Sequence, residues 1–164
     1  MKRFKFIRIV FVLCALVFSL SNFAQDRPAD GQFKSPQEAA NQGKADLLEV
    51  LKSGRDLNIG VTAEQLANAV PGKPITNMAL NFDKLLNLEN SQSLKEAEGE
   101  ALNTVVPMLV NGKVVTVIEV KQGSAGWVVA GLGGTSTSND LSVVLAASNN
   151  AEIVIYEVPN LQST

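Results

Sequence analysis

The chain is 164 residues long, enough for one domain with a core of its own. It carries fourteen Lys/Arg against sixteen Asp/Glu, has no histidine and has a single cysteine. That inventory excludes imidazole-based triads and dyads, and any metal site built on histidine or on paired cysteines.

Residues 1–24 read as a cleavable signal peptide. Lys2, Arg3, Lys5 and Arg8 form a basic start, and Ile9 to Leu20 is an apolar run too short to span a bilayer. The cut is expected between Ala24 and Gln25, with Asn22 larger than the side chain usually found three residues earlier. Cys14 lies inside the apolar run behind Phe11, Val12 and Leu13, which is not the setting of a lipidated cysteine. Cleavage would remove the only cysteine and leave ten Lys/Arg against sixteen Asp/Glu, a formal charge of −6. Spread acidity of this kind excludes nucleic acid and anionic membrane surfaces, which need concentrated basic charge. Phe33, Phe82, Trp127 and Tyr156 are the only aromatics after the leader, too few for a base-stacking platform. Export to the periplasm or the medium of a bacterium is expected, without disulfides and without stable membrane insertion after cleavage.

Residues 25–34 are polar, contain Pro28 and Gly31, and form a flexible lead-in; residues 35–164 are expected to be a single α+β domain. Ser35-Pro36-Gln37-Glu38 then opens a helix over 36–53. Ser35 is placed as N-cap, Pro36 as first helical residue and Glu38 to reach back to an N-terminal amide. Ala40, Leu47, Leu48 and Leu51 recur at helical spacing, and Gly54 suits a left-handed C-cap. Thr62-Ala63-Glu64-Gln65 is a second capping box, opening a short helix with Leu66, Ala69 and Val70 that Pro71-Gly72 stops. Met78, Leu80 and Phe82 alternate with Ala79, Asn81 and Asp83, predicting a strand near 76–82. Residues 90–102 fit a helical turn capped by Ser93 or a loop. Asn111-Gly112 between Val105–Val110 and Val114–Val120 predicts a type I′ hairpin, because both central positions of that turn need positive φ. Gly123-Ser124-Ala125-Gly126 leads to a third strand, Trp127–Leu132, completing an antiparallel meander over 104–132. A loop from Gly131 to Ser138, a helix from Asn139 or Asp140 to about Ala147, and a last strand with Ile153, Ile155 and Val158 follow. An apolar strand this near residue 164 raises the expectation of a partner strand beyond the sequence.

Gly131-Leu132-Gly133-Gly134 lies between a strand and a helix, but neither a dinucleotide fingerprint nor a P-loop is completed, so it reads as a connector. Glu96, Glu98 and Glu100 could supply a carboxylate pair for a hydrolase, or form a solvated face. Asp26 and Asp30-Gly31 lack the alternating ligands of a calcium loop. No serine after the leader precedes a lysine by three residues, and Trp127 reads first as an aromatic covering the sheet. No residue is assigned a catalytic, cofactor-binding or metal-binding role.

The expected fold is therefore α+β. An antiparallel sheet of four to five strands packs one face on the 36–53 helix, with the later helix beside it and the other face wet, as Thr116 and Glu119 suggest. The helix-then-meander order over 36–132 resembles cystatin-like and PepSY-like domains of secreted bacterial proteins. That resemblance is architectural and carries no site residue. Function is expected to be a non-catalytic exported binding or accessory domain, inhibitor-like or otherwise, with a protein or peptide partner. The alternatives are a small secreted hydrolase using carboxylates and a structural envelope protein.

Overall fold

A computed structural model describes residues 33–54, 57, 59–89, 92–149 and 151–158. Residues 1–24, expected to be a signal peptide, lie outside the described residues, as do Cys14 within them, Asp26 and Asp30-Gly31.

Helix α1 spans Pro36–Lys52 and begins as its capping residues require: Ser35 Oγ accepts from the Glu38 amide at 3.2 Å, while the Glu38 carboxylate reaches back to the Lys34 amide at 2.9 Å. Gly54 follows with φ of 79°. Helix α2, Ala63–Asn68, has a complete capping box, with Thr62 and Gln65 exchanging side-chain-to-amide bonds of 3.0 and 3.2 Å. The Lys44 ammonium, reaching across from α1, donates to the carbonyls of Ala67 and Ala69 and so closes the carboxyl end of α2.

Strand β1, Val70–Pro71, replaces the expected last turn of that helix. It pairs with β3, Glu98–Val110, beside β2, Ile75–Leu80, so that both lie antiparallel along one edge of β3. The break between them faces Pro107. Gly72 N–H donates to the Pro107 carbonyl at 2.7 Å, and the proline nitrogen, which has no proton to give, meets the interruption instead of a paired strand. A Cβ on Gly72 would lie 3.0 Å from both Leu109 and Pro107, so any larger residue would have to push these side chains back by a few tenths of an ångström. Asn81 caps a short helix α3, Phe82–Leu86, where the expected strand had been extended to residue 82. The ambiguous 90–102 stretch divides: Ser93 caps a 3-10 turn over Leu94–Ala97, and β3 begins at Glu98.

Asn111 and Gly112 take φ of 51° and 78°, and the type I′ hairpin joins β3 to β4, Lys113–Gln122, as predicted. Strand β5, Trp127–Leu132, completes the meander. The chain then crosses the sheet as α4, Thr135–Ala147, and returns on the far edge as β6, Val154–Glu157. The spatial order is β5-β4-β3-β2-β6.

Several expectations are corrected here. The sheet is mixed, because β6 runs parallel to β2, and among the described residues it has six strands rather than four to five. Helix α4 starts at Thr135, with Gly134 as N-cap and no side-chain cap, rather than being capped by Asn139 or Asp140. It also lies on the opposite face from α1. Val106, Met108, Ile118 and Val120 pack with Ala39 and Ala40 of α1, whereas Val105, Val114, Val117 and Ile75 pack with Leu141 of α4. Val105 and Val106 are neighbours on one strand and point to opposite faces, so each sheet face has its own helix and core. Thr116, expected on a wet face, is fully buried and donates to the Gly133 carbonyl at 3.4 Å.

Gly133 is pinned between these layers. Its amide donates to the Val117 carbonyl at 3.0 Å, and a Cβ there would overlap the Val117 side chain. Gly133→Ala is expected to cost about 1–3 kcal/mol through overpacking, read as a lower urea midpoint with an unchanged slope. Adding Val117→Ala to it should recover part of that loss, although Val117→Ala alone is destabilising.

Candidate functional site

The acidic run does not assemble. Glu96 is exposed and accepts from Gln92 Nε2 at 2.8 Å. It shares a surface recess of about 340 Å³ with Asp83 and Lys84, but the recess is an open dish that excludes no water from its carboxylates. Glu100 is exposed at the start of β3. Glu98 instead accepts a 2.6 Å bond from the hydroxyl of Tyr156 on β6, which ties the two ends of the sheet's β2 side together. The Gly131–Gly134 segment is the tight connector described above. Trp127 and Phe33 flank the α1 core, with Trp127 N–H donating to the Phe33 carbonyl at 2.8 Å, so Trp127 covers the sheet edge. Among the described residues, no group of three or more Cys, His, Asp or Glu side chains converges as a metal cluster, and no helix is long and apolar enough to cross a membrane.

Two arrangements that sequence reasoning missed are of more interest. The first is a polar row across the sheet. Beneath α4 lie Ile75, Val105, Val117 and Ile155, one from each of four neighbouring strands. Two residues further along the same strands, and therefore on the same face, stand Asn77, Asn103, Glu119 and Glu157. Asn77 and Asn103 are direct partners across β2 and β3. Asn77 Nδ2 donates outward to Glu157 Oε1 at 2.7 Å, and Asn103 Nδ2 donates the other way, to Glu119 Oε2 at 3.0 Å. A planar amide whose nitrogen faces one neighbour turns its oxygen toward the other. Both Oδ1 atoms are buried without a hydrogen-bond partner in the protein. Asn77 is only 2% exposed. Gly131 on β5 faces Glu119 and leaves room for its carboxylate, since a Cβ there would be 3.2 Å from Oε2.

The second is the outer face of α4. Leu141 and Leu145 turn inward, and Ser142 exchanges bonds with the Val114 backbone on β4. Outward stand Val143, 70% exposed, and Val144, 45% exposed, with Ala146 and Ala147 beside them. Asp140 is the only charged residue in the helix. Surface helices ordinarily cover this side with charge.

Comparison of the chain with protein-family models, with curated proteins and with solved structures gives no match.

Tyr156 offers a direct check on the Glu98 contact. Its hydrogen bond to Glu98, then partial burial, then the Glu98 charge all raise the phenol above its usual value of 10.0. A raised folded value means that this contribution to stability is complete below the unfolded value and is lost as pH rises through the higher folded one. As the sole tyrosine, Tyr156 can be followed by tyrosinate absorbance. The folded protein should titrate above 10, and Glu98→Gln should bring the midpoint down toward that of the unfolded chain.

Proposed function

We propose that this chain is a non-catalytic, exported binding module that docks a protein partner on the outer face of α4. The observation that carries the reading is the pairing of a highly exposed Val143 with Val144, Ala146 and Ala147 on a helix with one charge. Apolar surface of this kind, left facing water, costs free energy that burial against a partner returns, at about 25 cal/mol per Å². Helix α4 is also anchored from beneath by Leu141, Leu145 and Ser142, so the face is presented rigidly and little is spent in ordering it on binding. Export rests on the basic-then-apolar pattern of residues 1–24. An inhibitor-like role for the module is one form this reading takes.

The test is capture with the purified protein as micromolar bait in the exported fraction of its own cells. A specific partner should be retained by the parent chain, and Val143→Asp should weaken that complex at least tenfold, which is about 1.4 kcal/mol. The substitution lies on the surface, so circular dichroism and the unfolding midpoint should stay unchanged. A stable complex indifferent to Val143→Asp would move the docking surface elsewhere, and recovery of no partner would count against a binding module.

A further inference from the structure

We propose that a cavity at the carboxyl end of α4 binds a small zwitterion with an apolar side chain, a branched aliphatic amino acid or a dipeptide of such residues. The cavity measures about 300 Å³ and opens where α4, the start of β2 and the approach to β6 meet. That volume is at the lower end of small-ligand pockets and suits a molecule of amino-acid size. Its floor is apolar, made by buried Ile75 with half-buried Leu145 and Ile153. All three belong to the core beneath α4, so the floor is formed before any ligand arrives. The rim is charged. Lys73 and Glu152 line the same cavity, and both are exposed. Thr76 pairs with Val154 in the parallel β2–β6 ladder, so the residues just before the two strands arrive at the same end of the sheet. Parallel neighbours run about 4.8 Å apart, which brings the opposite charges within reach of one small molecule. Lys73 then takes the carboxylate of the ligand and Glu152 its ammonium. The end of α4 adds a second attraction for the ammonium. Its last turn holds no basic residue, and its C-cap, Ser148, lines the cavity, so the negative end of the helix faces the site without a cation from its own turn. Ser148 is itself held, its hydroxyl donating to the Leu145 carbonyl at 3.0 Å and its carbonyl accepting from Ala151 N–H at 2.8 Å. A purely apolar ligand would leave both rim charges unanswered, and a simple anion would meet Glu152 and the helix end with like charge. A zwitterion with an aliphatic side chain answers every part of the lining. The site lies at the inner end of α4 and does not depend on the outward Val143 face.

The purified protein is titrated with leucine and with leucyl-leucine by calorimetry, and the site is located by amide NMR. One saturable site is expected, with a dissociation constant on the order of 10⁻⁴ M for so small a ligand. Amide shifts should centre on Lys73–Thr76 and Ala151–Val154. Binding of either compound supports the site, and the tighter of the two identifies the amino acid or the peptide as its occupant. Glycine, 4-methylpentanoate and isoamylamine, each lacking the side chain, the ammonium or the carboxylate, should bind at least tenfold more weakly than leucine. Lys73→Gln and Glu152→Gln should each weaken leucine binding about tenfold. Both substitutions are on exposed side chains, so the unfolding midpoint should not move. Val143→Asp should leave leucine binding unchanged, which separates this site from the protein-docking face. No saturable heat from either compound, binding indifferent to both glutamine variants, or shifts centred on Val143 would overturn the proposal.

Discussion

The constraint on which the structure depends is that the β3–β4 hairpin is buried on both sides. Val105 and Val106 follow each other on β3, both shielded from solvent, and they face different helices. On β4, Val117 and Ile118 repeat the arrangement. A strand with two buried faces cannot be satisfied by a helix on one side, so α1 and α4 are both obligatory, and the chain must cross the sheet to supply the second. That crossing is what delivers β6 to the far edge parallel to β2.

The same constraint locates the polar row. Helix α4 covers the sheet as far as Ile75, Val105, Val117 and Ile155, and at the next position on each of those strands the side chain becomes an amide or a carboxylate. Strand alternation then brings four residues that are far apart in sequence onto one face of the sheet. Their hydrogen bonds run outward from the central pair to the two glutamates, and both asparagine Oδ1 atoms are left buried without a partner. A sheet interior that ends in uncompensated acceptors departs from the usual rule that buried polar atoms are paired, and such departures tend to mark function.

The surface repeats the theme of local rules broken at one place. The exposed sides of α1 and α2 carry the expected acids, amides and lysines, whereas α4 turns valines and alanines outward. Its inward contacts already satisfy the second core, so the outer residues are not required for folding. A partner-binding role uses that surplus without disturbing the layers beneath.

Much of the local structure was legible because its causes are local. Asn111-Gly112 specifies its turn through positive φ, Ser35 and Thr62 cap helices through their own oxygens, and the 3.6-residue recurrence of leucines marks α1. The unbroken apolar run from Val105 to Val110 also held the sign of a doubly buried strand, since a strand with one wet face alternates instead. What remained hidden depends on partners distant in sequence: the side of the sheet that α4 takes, the direction of β6, and the meeting of Asn77 with Asn103 and of each with its glutamate. Propensity and capping act over about one turn of chain. Register and face are settled only when whole strands pair, so the polar row belongs to the tertiary structure alone.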